Sequence, residues 1–222
     1  MRCYNFERIK IFETERIFKM KKIIAIILAA AAILTVFCSC GKKESEPVTT
    51  GEYTYVVLED NTAKITKYNS AEEIVTLDIP SSIDDYTVSI IGSEAFAGVS
   101  TIKVVNFPET LVKIEPNAFT GSSIKKAFLH KSRQLTEIGE LAFSECHNLV
   151  QVDLPSSLTT LGDKAFYYCD SLKVATFRGD TPNIPALAFD ACKDLKIYTK
   201  ESCQNVIDFA KTYNIETVIS GK

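Results

Sequence analysis

The sequence predicts an α+β solenoid of about five coils of about 23 residues, with a hairpin closing one end and a helix and strand closing the other. Three observations carry this fold class. Ala-Phe occurs at Ala95-Phe96, Ala118-Phe119, Ala142-Phe143, Ala165-Phe166 and Ala188-Phe189, at intervals of 23, 24, 23 and 23 residues. Cys146, Cys169 and Cys192 keep the same interval of 23. Ile138-Gly139-Glu140-Leu141-Ala142-Phe143-Ser144-Glu145-Cys146 returns as Leu161-Gly162-Asp163-Lys164-Ala165-Phe166-Tyr167-Tyr168-Cys169, so several residue types recur in phase. A chain repeating at one such period is a stack of units, none of which can bury its apolar face alone.

The start of the chain reads as targeting sequence. Met20-Lys21-Lys22 is a basic start, Ile23 to Phe37 is a 15-residue apolar run broken only by Thr35, and Ser39-Cys40-Gly41 follows. The run is short for a membrane span of about 20 residues. The small residues before Cys40 resemble the lipobox of bacterial lipoproteins, with Phe37 unusual at its first position. That resemblance implies that 20–40 is a lipoprotein signal peptide and that Cys40 becomes the acylated first residue, tethering the protein to a membrane on its extracytoplasmic side. An ordinary signal peptide or an uncleaved anchor are the competing readings. Residues 1–19 place Glu7, Glu13 and Glu15 ahead of the basic start and are expected to be a spurious upstream extension, a structured cytoplasmic extension being the alternative. Residues 41–52 are polar and read as a flexible tether.

The domain is expected over 53–222. Tyr53 to Leu58 and Ala63 to Tyr68 flank Glu59-Asp60-Asn61-Thr62, a hairpin signal, and this hairpin is expected to cap the stack. One full coil reads as follows. Leu149, Val152 and Leu154 carry strand periodicity, and Pro155 ends the strand because it has no N–H for the ladder. Leu158 and Leu161 turn inward, and Gly162 is expected to make a turn with positive φ. Asp163 is expected to cap one helical turn whose buried face holds Phe166 and Cys169. Coils begin near Ile74, Ile102, Ile124, Leu149 and Leu172, the first with extra residues around Asp84 to Val88. Leu195 to Tyr198 starts a last strand, Glu201 to Tyr213 has helical spacing, and Ile215 to Ile219 is a short closing strand.

The pattern Leu-Pro-x-x-Leu-x-x-Ile/Leu-Gly-x-x-Ala-Phe-x-x-Cys resembles the BspA-like leucine-rich repeats of bacterial surface proteins, over roughly residues 53–200. The resemblance implies a leucine-rich-repeat solenoid at the cell surface with a recognition or adhesion role, and no common ligand. The copies depart from it at Val99 and Ser122, which stand in place of Cys, and at His130 and Arg178, which stand in place of Pro.

Composition narrows function further. Residues 1–40 hold seven of the 25 basic and three of the 28 acidic residues, leaving 18 basic against 25 acidic. Such a balance disfavours nucleic acid as a partner. With no Trp and only two His, the chain has little catalytic equipment. Cys146, Cys169 and Cys192 form one column, but three thiols without a further ligand make a poor zinc site, and they read as small buried residues. His147 follows Cys146, yet a thiol on an inward face cannot meet a substrate. No catalytic residue, metal or cofactor is therefore assigned. Arg178-Gly179-Asp180 spells a tripeptide that integrins recognise in other proteins, here placed in an ordinary turn.

Strand alternation implies two outward columns. They are Thr76, Val104, Lys126, Gln151 and Val174, and Asp78, Asn106, Phe128, Asp153 and Thr176. Phe128 is the one large aromatic there, in the coil where His130 replaces Pro and two residues are inserted near Lys131-Ser132. Phe128, Lys126, Asn106, Gln151 and Asp153 are thus the expected contact patch for a protein or glycan partner. Drift in a degenerate repeat is the plainer account of these departures. A structural envelope component, or a binding subunit of a surface complex, is the alternative function.

Overall fold

The computed structural model describes residues 44–220. The expected upstream extension 1–19, the expected signal peptide 20–40 and Cys40 lie outside these residues. Strands stack across the coils into two sheets. One sheet has seven strands, in the order β15-β14-β13-β11-β9-β7-β4. These are β4 (Ile74–Asp78), β7 (Ile102–Asn106), β9 (Lys126–Phe128), β11 (Gln151–Leu154), β13 (Val174–Phe177), β14 (Lys196–Lys200) and β15 (Glu216–Ser220). All pairings along it are parallel. The other sheet runs β1 (Val48–Thr50), β2 (Tyr53–Val57), β3 (Thr62–Tyr68), β6 (Tyr86–Ile91), β8 (Lys113–Ile114), β10 (Glu137–Ile138), β12 (Thr160–Leu161), with β5 (Ser82–Ile83) beside β6.

The seven-stranded sheet marks about seven turns where the Ala-Phe count gave five. The last turns carry no Ala-Phe, so that count misses them. Instead helix α1 (Gln204–Thr212) crosses between the parallel strands β14 and β15, burying Val206, Phe209 and Ala210. At the other end the predicted hairpin forms as β2 and β3. The stretch 41–52, expected as a tether, contributes β1, antiparallel to β2. The extra residues of the first coil make a second hairpin, β5–β6, whose turn residues Asp84 and Asp85 have φ of 47° and 70°. Two left-handed residues in a two-residue loop give the turn that matches strand twist.

The third side of each coil corrects the expected helical turn. Residues 140–146 and 163–169 are successive turns, because Leu141, Glu145, Lys164 and Tyr168 have φ of 55°, 56°, 54° and 55°. Within a coil the bonds span three residues, as in Tyr167 N–H to the Lys164 carbonyl at 3.0 Å. Alternate amides are thereby turned outward to the next coil. Leu141, Phe143 and Glu145 donate to the carbonyls of Asp163, Ala165 and Tyr167 at 3.0, 2.8 and 2.7 Å. A helix would have spent those amides internally. The turns make a third ladder of hydrogen bonds between coils.

Gly162 is likewise needed for a different reason from a positive φ. A Cβ on it would lie 2.3 Å from the backbone of Gly139 and Glu140, and one on Gly139 would lie 2.6 Å from Pro116 N. Close approach of successive coils, and not turn conformation, demands the glycine.

The interior is a column of rings. Phe96, Phe119, Phe143, Phe166 and Phe189 stack at successive centroid distances of 4.8, 4.9, 5.2 and 5.1 Å, nearly parallel. Tyr68 of the hairpin continues the column below at 5.2 Å, and Phe209 of α1 closes it above at 6.2 Å. Both caps therefore extend the core as well as covering it. Phe107, just past β7, and Phe177, at the end of β13, meet the column edge-on. Phe166→Ala in this column is expected to cost about 3–5 kcal/mol through the cavity it leaves. Phe128→Ala, at a half-buried surface position, should cost much less. Denaturant unfolding of the two variants measures the difference, and equal losses would place Phe128 in the core.

Candidate functional site

The register of the seven-stranded sheet fixes which surface side chains are neighbours. Val104, Lys126, Gln151 and Val174 are paired across β7, β9, β11 and β13, as are Asn106, Phe128, Asp153 and Thr176. Asp78 pairs Asn106 at the start of the second column. The five expected contact residues are thus brought together on one face. Lys126 is exposed, while Phe128, Asn106 and Gln151 are half-buried. Asn106 Nδ2 donates to Asp78 Oδ1 at 2.6 Å.

Asp153 differs from the rest. It is only 5% exposed, and its carboxylate accepts two hydrogen bonds from Arg178, Nε to Oδ1 and Nη2 to Oδ2, both at 2.7 Å. This fork geometry is the strong form of the pair. The Asp153 hydrogen bonds hold the Arg178 guanidinium still further above its ordinary ionisation range. His130 Nδ1 lies 3.2 Å from Asp153 Oδ2, and its ring meets Phe128 edge-on at 6.2 Å. The Asp153 carboxylate is therefore committed to its neighbours and is not a free contact group.

His130 and Arg178 are the two positions where Pro is replaced, and they converge on the carboxylate of the coil between them. The two departures are visible in the sequence, but only the stacked coils bring them together. The signal lies in the repeat itself, because both stand just past their strands at the repeat position held by Pro108 and Pro155. The inserted residues are ordered as well. Ser132 is fully buried, and its Oγ donates to the Pro108 carbonyl at 2.8 Å.

Arg178-Gly179-Asp180 is committed to the fold at every residue. Arg178 holds Asp153. A Cβ on Gly179 would lie 2.5 Å from the Ser156 carbonyl oxygen. Asp180 accepts from the backbone N–H of Asn205 and Val206 at 2.9 and 3.3 Å, and from Asn205 Nδ2 at 2.6 Å. These amides open α1, whose own N-cap residue Cys203 supplies no side-chain bond. Asp180 thus caps the closing helix from the preceding coil.

The column of thiols has a specific job. Cys146, Cys169 and Cys192 donate Sγ–H to the carbonyls of Phe119, Phe143 and Phe166 at 3.1, 3.0 and 3.2 Å. Each thiol therefore adds a hydrogen bond to a carbonyl of the coil before it, which a purely apolar residue of that size would not do. Ser122, in the same column, bonds Cys146 Sγ at 3.3 Å. Among the described residues Cys146, Cys169, Cys192 and Cys203 are free, and no cluster is disposed to hold a metal ion. His147 points the other way from Cys146, its Nδ1 3.3 Å from Asp170 Oδ1 in solvent.

The chain belongs to the BspA-type leucine-rich repeat proteins. Residues 67–196 match the BspA type leucine rich repeat region in six copies. A leucine-rich repeat protein of T. pallidum is 25% identical, with a TM-score of 0.59 over 72% of this chain and 79% of that one. The pneumococcal vaccine antigen PcpA shares the fold at 19% identity, with a TM-score of 0.57 over 71% of this chain and 51% of that one. No curated protein sequence matches the chain.

Burial pushes the Cys192 thiol up to about 12 from an ordinary value of 9.0. Between these values the unfolded chain gives up a proton that the folded chain keeps. Stability is then fully present below about pH 9 and falls as pH rises toward 12. Cys192→Ser keeps a donor to the Phe166 carbonyl but does not titrate in this range. Its stability should fall less steeply than wild type above pH 9, by at most about 1.4 kcal/mol per pH unit. Urea unfolding at pH 8 and pH 10.5 checks this.

Proposed function

We propose that this protein is a surface recognition module, held at a membrane by a lipid on Cys40, that binds a protein or glycan partner through the solvent face of the seven-stranded sheet. The observation that carries the reading is the placement of Phe128. It stands half-buried among Asn106, Lys126 and Gln151, with the Asp153–Arg178–His130 cluster fixing one border. An aromatic anchor inside a polar rim is the composition of contact hot spots. A stack paired strand to strand presents such groups with little ordering cost on binding. Asp153 serves by positioning Arg178 and not by direct contact.

Phe128→Ala should weaken partner binding by more than roughly 1 kcal/mol while the melting temperature stays near wild type. Lys113→Ala, on the other sheet, should leave binding unchanged. The chain would be tested against matrix proteins, glycans and envelope fractions, with affinity measured for whatever is retained. A partner that ignores Phe128 moves the site elsewhere, and stable co-purification with envelope proteins alone favours a structural envelope role.

The anchor has its own test. Cys40→Ala should abolish metabolic lipid labelling, whereas deletion of residues 1–19 should leave labelling and export intact. A labelled Cys40→Ala protein would overturn the assignment of that residue.

A further inference from the structure

We infer that the partner is a linear anionic polysaccharide, one bearing carboxylate or sulfate groups, received along a row of lysines that crosses the coils. This deepens the recognition reading and rests on it. The row lies at the entry to the seven-stranded sheet. Lys125 N–H donates to the Lys103 carbonyl at 2.6 Å, Val150 N–H to Lys125 at 2.8 Å, and Lys173 N–H to Val150 at 3.0 Å. Lys103, Lys125, Val150 and Lys173 therefore occupy one position on four successive coils. Lys126 stands next to the row on β9.

Lys125, Lys126 and Lys173 are exposed, and among the described residues none joins an ion pair. Lys103 Nζ donates to the Ser100 carbonyl at 3.2 Å and, among the described residues, joins no ion pair. Three carboxylates of the neighbouring outward columns are engaged by their own partners. Asp78 is bonded by Asn106 at one end, Glu216 pairs Lys196 at 2.8 Å at the other, and Asp153 holds Arg178. Lys103, Lys125, Lys126 and Lys173 gather four positive charges on a domain whose residues 44–220 hold 25 acidic and only 15 basic side chains. A local basic row on an acidic body attracts anions at one place and repels them elsewhere.

The spacing selects the kind of anion. Adjacent coils stand about 4.8 Å apart, so the row offers charges in steps of one or two coils. Val150, 36% exposed, sits between Lys125 and Lys173 and gives an apolar contact for a sugar ring. Duplex DNA, with a charge every ~1.7 Å of axis, would carry much excess repulsion against the acidic body. A polysaccharide with sparser charge fits the row without that excess.

The test compares the full chain with K125Q/K126Q/K173Q and with K67Q/K164Q/K211Q, which removes the same charge away from the row. Heparin and polygalacturonate are the anionic probes and dextran the neutral one. Phosphatidylglycerol vesicles and duplex DNA test the other polyanions. Wild type and the second variant should bind an anionic polysaccharide near physiological salt and not dextran, and the first variant should bind at least roughly tenfold more weakly with unchanged melting. Equal affinity of the two variants overturns the inference. So does absence of polysaccharide binding, or row-dependent binding to vesicles or DNA alone. A partner that depends on Phe128 but not on the lysines would remove this inference and leave the recognition reading standing.

Discussion

One spacing, close to 5 Å, is imposed on every coil at several places at once, and the rest of the molecule follows from it. In the sheets it is the distance that backbone hydrogen bonding requires. In the core it is the separation of stacked rings, 4.8 to 5.2 Å from Tyr68 to Phe189. On the third side it is the reach of amides such as Phe143 N–H to Ala165 at 2.8 Å. A side chain at Gly139 or Gly162 would push two coils apart and break all of these together. The left-handed residues that alternate through the turns carry a backbone cost of about 1–2 kcal/mol each. The inter-coil hydrogen bonds and the ring column offset it.

The same spacing governs the surface. Since every coil is in register with the next, residues at one repeat position form a straight row, and a substitution in one coil acquires neighbours of known identity. Phe128 stands between Asn106 and Asp153 for this reason, and Lys103 beside Lys125. Departures from the repeat then become contacts. His130 and Arg178 reach Asp153 because each sits one coil away from it. A repeat protein can thus build a particular surface on a uniform interior.

Both ends are closed by continuing the interior. Tyr68 and Phe209 lengthen the ring column, and Asp180 reaches from the last full coil to cap the helix that covers it. The tripeptide around Asp180 has a structural explanation that needs no partner.

The sequence by itself determined the period, the two end caps, the inward and outward alternation of the strands and hence the membership of the outward columns. Those features are local or periodic, and Ala-Phe at 23-residue intervals records them directly. It did not determine the turns. Asp163 to Cys169 has the composition of a helical turn, and only the neighbouring coil, by accepting the alternate amides, makes left-handed Lys164 and Tyr168 the better solution. Nor could it assign Gly162, whose need arises from Gly139 a full coil away. The fate of Asp153 was likewise a tertiary decision. Its outward position is legible from alternation, but its burial depends on Arg178 and His130 arriving from the two flanking coils. Interactions that repeat along the chain are written in its periodicity, whereas those made by two departures from the repeat exist only once the coils are stacked.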